Sequence, residues 1–209
     1  MNKHYRLVSI LSFLIISSCS NNAKDIEEST LSIKNFNLSH YSKNGNKLYK
    51  LDTPYSIFNK KEQVYLLDKT SIKFFKKNNI KYIVNSDSAR LINNNKVIEL
   101  KGNVIISDIE NNNTTIKSDN LYWDINKSKF ILEGKVYLIT KSIKLNSSMA
   151  ILDKESNIVT FFKPVEYSYI DQNNISRYNI KSENAYYNIE NQDVIFKSEN
   201  NNVRSRIIF

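Results

Sequence analysis

The stretch KFILEGKVYLIT, from Lys129 to Thr140, decides the fold because it alternates apolar and polar residues about a central glycine. A second stretch, KVIELKGNVIIS from Lys96 to Ser107, has the same alternation and the same glycine. A period of two is typical of strands buried on one face, as in an antiparallel sheet. Glycine inside such a strand indicates a bulge or a close backbone approach rather than a loop. We therefore predict an all-β fold.

One face of this predicted sheet carries a stripe of apolar side chains. Charged residues such as Glu99, Lys101, Glu133 and Lys135 alternate with the stripe and are expected on the opposite face. For any single member of the stripe, a packed core is the simpler interpretation. The stripe residues are Ile98, Leu100, Val104, Ile106, Leu121, Trp123, Phe130, Leu132, Val136 and Leu138.

The two stretches belong to a repeated unit. Copies begin at Ser86 and Ser118, and each reaches its glycine sixteen residues later. Further copies begin at Ser147 and Ser182, and Pro164 stands near the glycine position of the third, where it suggests an edge or a bulge. The starts are 32, 29 and 35 residues apart, which is typical of stacked repeat architectures. Each unit is predicted to be two antiparallel strands, and successive hairpins are expected to stack into a curved, rolled β-sheet.

The N-terminus has the pattern of a secreted protein. Lys3 and Arg6 precede an apolar run, Leu7 to Ile16, that is too short to span a membrane comfortably. Ile16-Ser17-Ser18-Cys19 then resembles a bacterial lipobox, which predicts that Cys19 is lipidated; a short uncleaved anchor is the alternative. Because this cysteine is the only one, a disulfide within the chain and a cysteine zinc cluster are excluded. The predicted segments are a signal peptide (1–18), the lipidated cysteine with a polar tether (19–46) and a β domain (47–209).

The net charge and the lack of catalytic motifs limit the range of possible functions. Loss of Lys3 and Arg6 with the signal peptide lowers the formal charge from +9 to +7. In a secreted chain this favours anionic lipid headgroups or phosphorylated glycolipids over nucleic acid, although a merely solvated Lys/Asn surface fits as well. The two histidines, His4 and His40, both precede the predicted β domain, and no phosphate-binding glycine motif occurs. Neither catalysis nor a cofactor or metal is expected.

Three segments carry a family resemblance: SDSARLINNNKVIELKGNVIIS (86–107), SDNLYWDINKSKFILEGKVYLIT (118–140) and SENAYYNIENQDVIFKS (182–198). Their pattern resembles the OstA-like family of lipopolysaccharide transport, and LptC most closely. The resemblance implies a twisted, partly open antiparallel β-jellyroll built from the repeated two-strand units. Its apolar groove, lined by the ten stripe residues, is expected to take lipopolysaccharide acyl chains. It implies an LptBFG-type ABC exporter and an LptA-like bridge protein as partners. It implies that the protein is located at the periplasmic face of a bacterial membrane, and it favours the inner membrane over the outer membrane. LptC proteins use an uncleaved membrane helix where this chain has a lipobox.

One alternative stays open, a structural or adhesive surface lipoprotein whose repeats form a β-solenoid stalk. A lipid conduit should have an open apolar interior with lysine at its rim, whereas a stalk should have a closed one. The sheet edges also differ in expected role. The C-terminal strands Asp193–Ser198 and Val203–Phe209 are expected to receive the bridge protein, and an N-terminal edge near Lys47–Phe58 is expected to face the exporter.

Overall fold

The computed structural model of the chain describes residues 30–92, 94, 96–110, 114–162, 164–171, 176–198 and 203–207. The predicted signal peptide (1–18) and the predicted lipidation site, Cys19, lie outside the described residues. The described residues form fourteen β-strands and no helix. In chain order the strands are β1 (Thr30–Tyr41), β2 (Lys47–Asn59), β3 (Val64–Lys76), β4 (Asn79–Ile92), β5 (Val97–Asp108), β6 (Thr115–Asp124), β7 (Lys129–Ile139), β8 (Ile143–Asp153), β9 (Ile158–Phe162), β10 (Val165–Ile170), β11 (Ser176–Ser182), β12 (Asn184–Asn188), β13 (Val194–Lys197) and β14 (Arg204–Ile207).

The strands form one antiparallel sheet that forks. From β1 to β8 each strand pairs with the next along the chain. The first half of β8 then pairs with β10 and its second half with β9, so the sheet continues as two branches. One branch runs β9, β12, β13 and the other β10, β11, β14. The break that separates β9 from β10 falls beside Pro164, as its position predicted. Because β1 does not pair with β13 or β14, the sheet stays open, which confirms the all-β, partly open architecture.

Long strands bend at their middle, where the repeat glycines lie. The register is interrupted across Gly102 in β5 and across Gly134 in β7, and their φ angles are +74° and +71°. A Cβ on Gly102 would lie 2.6 Å from the Asp87 carboxylate, and one on Gly134 would lie 2.7 Å from Asp119. The left-handed backbone and the close approach both demand glycine. The predicted bulges are confirmed.

The serine that begins each repeat unit lies at the same bend. These serines are on β4, β6 and β8 and at the end of β11. Each serine hydroxyl donates a hydrogen bond to the carbonyl two residues later, which satisfies a backbone acceptor where the ladder is interrupted. Thr53 in β2 makes the equivalent bond, at 2.9 Å. The serine donors are Ser86 (3.0 Å), Ser118 (2.9 Å), Ser147 (2.8 Å) and Ser182 (2.9 Å). The sequence repeat is therefore a repeat of this bend.

The aligned bends divide the sheet into two half-sheets that face each other. Half-sheet A contains segments such as 97–101, 120–124 and 129–133, and half-sheet B contains 104–108, 115–118 and 136–139. Aromatic rings meet across the gap, because Tyr49 and Phe74 of half-sheet B lie 5.0 and 4.8 Å from the Trp123 ring of half-sheet A. The apolar core fills the space between the half-sheets, where each fully buried large side chain contributes about 1.5–3 kcal/mol.

Two expectations about the N-terminal edge are corrected. Residues 30–41 were assigned to the tether, but they form β1 and pair with β2 along its length. Apolar and polar residues alternate in β1, but the alternation changes phase at Asn35, which has a positive φ, so that Leu31 and Ile33 are followed by Phe36 and Leu38. Most β1 side chains are exposed, and the strand is held mainly by its backbone hydrogen bonds to β2. Phe36 and Leu38 pack against the core, and the His40 ring stacks on the buried Tyr49 ring at 5.3 Å. Consequently β2, expected at the edge, is an inner strand, and β1 is the N-terminal edge.

Candidate functional site

The structure brings the ten predicted stripe residues together in the interior between the half-sheets. Each of the ten is at most 2% exposed. They come from β5, β6 and β7, and half-sheets A and B both contribute. The interior is closed at these positions, so the open groove expected of a conduit is not seen there. The stripe is packed core in this conformation.

Four aromatic rings close the apolar interior on the side where the turns between the strands lie. Trp123 and Phe130 belong to half-sheet A, and their ring centroids are 5.6 Å apart. Tyr49 and Phe74 face them from half-sheet B, with Phe74 lying 5.1 Å from Phe130. Trp123 and Phe130 are members of the predicted stripe, whereas Tyr49 and Phe74 were not predicted. The apolar alternation Tyr49-x-Leu51 and Ile72-x-Phe74 was the available signal.

Lys154 covers this aromatic cluster. Its Nζ lies 4.3 Å from the ring centroid of Trp123, 4.8 Å from that of Phe130 and 5.1 Å from that of Phe74, within the range of cation–π attraction. Burial lowers the pKa of the Lys154 ammonium to about 8, and the neighbouring Glu155 and Asp153 oppose that shift. A partly buried cation therefore rests on aromatic rings, and no described carboxylate forms a salt bridge with it.

A cleft of about 540 Å³ opens beside Lys154, and we call it the loop-end cleft. The ends of β1 to β4 form one wall, and the β6–β7 and β8–β9 turns form the other. Its lining combines aromatic and aliphatic side chains with four lysines and one glutamate. The lining residues are His40, Leu48, Tyr49, Phe74, Phe75, Lys76, Lys81, Tyr82, Trp123, Ile125, Asn126, Lys127, Ser128, Lys154 and Glu155. Here the apolar interior meets solvent with lysine at its rim.

A polar network beside the cleft joins the two half-sheets on their open side. Lys81 Nζ and the Tyr82 hydroxyl both donate to Asn157 Oδ1, at 2.5 and 2.9 Å. Asn157 Nδ2 donates in turn to Glu190 Oε1 at 2.6 Å. Burial lowers the pKa of Lys81 and raises the pKa of Tyr82. The β8–β9 turn, which carries both Lys154 and Asn157, thus fastens half-sheet A to β4; we call this network the Asn157 clasp.

A second opening lies at the forked end of the sheet. The two branches diverge around a cavity of about 420 Å³, which we call the C-terminal opening. Tyr167 of β10 and Phe196 of β13 face each other across it, with ring centroids 5.2 Å apart. Ile180 and Val194 also line it, and these side chains are half-buried rather than buried. The interior therefore becomes less tightly closed toward this end.

The described residues offer no metal-binding cluster of His, Cys, Asp or Glu side chains. Within the same part of the chain, no helix is long and apolar enough to cross a membrane. What the site presents is apolar surface, aromatic rings and cationic groups.

Comparison with known proteins identifies the family. The LptC family model, described as lipopolysaccharide-assembly, LptC-related, matches residues 6–148, which is 143 of 209 residues. A solved structure that the fold is similar to is LptH from Pseudomonas aeruginosa, described as the LptA-homologous periplasmic component of the lipopolysaccharide transport device. The two chains share 16% identity with a TM-score of 0.48, over 61% of this chain and 94% of LptH. None of the curated proteins matches the chain.

An open, bent β-jellyroll with an apolar interior, together with this family match, defines a periplasmic component of lipopolysaccharide transport. More particularly, the chain belongs to the LptC-related family of lipopolysaccharide assembly. The predictions of family, fold class and transport function are confirmed, and membership makes the protein a transport component rather than an enzyme. The closed interior at the stripe is what the β-solenoid stalk would show, whereas the lysines at the rim of the loop-end cleft fit a conduit. The stalk is set aside because the repeats form one bent antiparallel sheet and the chain belongs to the LptC-related family.

Proposed function

We propose that the protein binds the acyl chains of lipopolysaccharide between its two half-sheets and passes the glycolipid from an LptBFG-type ABC exporter to an LptA-like bridge protein. The observation that best supports this proposal is the apolar interior, which runs from the loop-end cleft to the C-terminal opening. The ten stripe residues are the proposed acyl-chain lining. Their position between the two openings supports a path through the molecule.

Binding of acyl chains requires the half-sheets to move apart, because the stripe residues are buried in this conformation. On the side of the bends the backbone is continuous from one half-sheet to the other, so that side resists separation. On the open side, the Asn157 clasp and the Lys154–aromatic contact hold the turns to β3 and β4. A few polar contacts break at lower free energy than a ladder of backbone hydrogen bonds. We infer that acyl chains enter by parting the open side.

The membrane attachment is part of the proposal. The motif Ile16-Ser17-Ser18-Cys19 supports removal of residues 1–18 and lipidation of Cys19. Two or more acyl chains on one terminus suffice for stable anchoring. An exporter partner requires attachment to the periplasmic face of the inner membrane. The family match begins at residue 6 and includes the apolar run, which supports attachment at this end.

We assign the bridge protein to the forked end of the sheet. In β14, Arg204, Ser205 and Arg206 have exposed side chains, and among the described strands β14 pairs only with β11. Strand β13 has β12 as its one partner within the described part of the sheet, and its Ile195 is 58% exposed. Unpaired edges accept a strand from another protein. Addition of such a strand beside the C-terminal opening would extend the apolar path into the partner.

Photo-crosslinking tests the lining. Phe130 and Tyr137 are aromatic residues of the same strand, β7, on opposite faces; Phe130 is fully buried and Tyr137 is 42% exposed. A photoreactive phenylalanine at Phe130 is expected to capture lipopolysaccharide in cells, and the same residue at Tyr137 is not. Equal capture at both positions, or capture at Tyr137 alone, contradicts the proposed lining.

Depletion of the protein tests the transport step. Lipopolysaccharide is expected to accumulate at the inner membrane, measured by density fractionation of the membranes. Normal arrival at the outer membrane in depleted cells would show that export does not need this protein.

A further inference from the structure

We propose that the loop-end cleft recognises the anionic headgroup of a phosphate-bearing amphiphile, with the Lys154 ammonium as the contacting charge. The inference rests on the proposed lipid-binding function and adds to it a headgroup site. It concerns a turn, residues 154–157, that follows the stretch matched by the family model.

The geometry at Lys154 suits an amphiphile that has an apolar chain and an anionic headgroup. The rings of Trp123, Phe130 and Phe74 form an apolar floor directly beneath the ammonium. The floor is continuous with the buried stripe, because Trp123 and Phe130 belong to both. A chain that enters beside these rings would bring its headgroup to the level of Nζ. The cleft volume of about 540 Å³ lies within the range of small-molecule sites.

The charges around the cleft favour an anion. Lys76 and Lys154 line it without a salt bridge among the described residues, whereas Lys127 pairs with Asp124 at 3.4 Å. Lys81 donates a hydrogen bond to Asn157. Among the described residues that line the cleft, Glu155 is the one carboxylate. A cation removed from water without an ionic partner is costly unless a ligand supplies the opposite charge. A phosphate at the cleft would supply it through charge-assisted hydrogen bonds.

A purely structural plug is the competing explanation. In that case the Lys154 side chain only fills the gap over the rings, and its charge has no role in binding. Methionine separates the two explanations, because it keeps an unbranched side chain over the aromatic rings and removes the ammonium. Lys117→Met is the matched control, since Lys117 is exposed on β6 and lies outside the cleft.

The chain has one tryptophan, so Trp123 fluorescence reports binding at the cleft directly. The full chain, wild type and both variants, is titrated with dihexanoyl phosphatidic acid, with uncharged dihexanoylglycerol and with inorganic phosphate. We expect the wild type and Lys117→Met to bind the phosphatidic acid about tenfold more tightly than the glycerol lipid. Lys154→Met is expected to bind both lipids equally, within about twofold. Phosphate alone is expected to leave the fluorescence unchanged.

The outcomes separate this inference from the function on which it rests. If the wild type binds both lipids equally, or Lys154→Met keeps the preference for phosphatidic acid, the headgroup site is refuted while lipid binding stands. If phosphate alone binds as tightly as the phosphatidic acid, the site is an anion site and the amphiphile is refuted. If neither lipid binds to any of the proteins, lipid binding by this interior is itself contradicted.

Discussion

Replacing Lys154 with methionine is expected to stabilise the protein at neutral pH. The substitution keeps an unbranched side chain over Trp123, Phe130 and Phe74 and removes a charge that has no ionic partner among the described residues. A lysine retained at such a place at the expense of stability would be explained by the binding of an anion. The stability measurement therefore bears on the headgroup site without using a ligand.

The magnitude follows from the pKa. A decrease from 10.5 to about 8 is 2.5 units, and at 1.36 kcal/mol a unit the charged form is disfavoured by about 3 kcal/mol in the folded protein. An imperfect fit of methionine over the rings, which does not depend on pH, returns roughly 1–1.5 kcal/mol of this. The net gain expected for Lys154→Met at pH 7 is about 1–2 kcal/mol. For a domain of this size that corresponds to a rise in Tm of about 3–6 °C.

The pH dependence gives the sharper assay. Because the folded pKa of Lys154 is lowered, its penalty is fully present below about pH 8 and disappears as pH rises from there toward 10.5. The stability difference between variant and wild type should therefore shrink by up to about 1.4 kcal/mol per pH unit above pH 8. Urea unfolding at pH 7 and 9.5 measures it. The other titratable groups near Lys154 are present in both proteins and cancel: His40, Tyr49, Lys76, Lys81, Tyr82, Lys127, Asp153 and Glu155.

Two results would refute this reasoning. One is a Lys154→Met protein less stable than wild type at pH 7, which would mean that the ammonium anchors the turn. The other is a difference that stays constant from pH 7 to 9.5. The exposed control Lys117→Met should change stability by no more than about 0.5 kcal/mol at either pH.

Three further predictions concern other parts of the chain. Cys19→Ala should abolish labelling by a palmitate analogue in cells, and equal labelling of variant and wild type would contradict lipidation. Gly134→Ala should lower the free energy of unfolding by about 1 kcal/mol more than Gly45→Ala, because both glycines have positive φ but only the Gly134 site meets Asp119; equal losses in urea titrations would show that the contact relaxes freely. Deleting residues 199–209 should remove bridge-protein pull-down and leave Tm nearly unchanged, since the described β14 side chains are exposed; a large fall in Tm would mean that the segment closes the core.

The middle of the sheet could be predicted from the sequence because its information is local. In β5 and β7 the alternation places Leu100 and Leu132 inward, and both are buried. The mid-strand glycines predicted bulges, because only a left-handed backbone or a close approach explains glycine in a strand. What the sequence did not indicate was that the bends align and fold the sheet onto itself.

Three features escaped prediction for physical reasons. Strand β1 has two short alternating runs, Leu31-x-Ile33 and Phe36-x-Leu38, but they are out of phase across Asn35, so no sustained period of two marks this strand in the sequence. The fork after β8 depends on which partner each half of that strand meets, and this is a long-range choice. Lys154 lies in a turn whose composition is typical of any exposed loop. Its position over Trp123 arises only because half-sheet A is folded against half-sheet B.

The repeat also sets the length of the molecule in discrete steps. Each unit contributes two strands, and strands stand about 4.8 Å apart, so one unit adds about 10 Å along the axis of the sheet. The longest path through the described strands crosses eleven of them, which spans about 48 Å. Duplication of a unit inserts two complete crossings of the bend, and it leaves β1 and the forked end as they are. Relatives with the same terminal surfaces can thus differ in reach by whole units of about 10 Å.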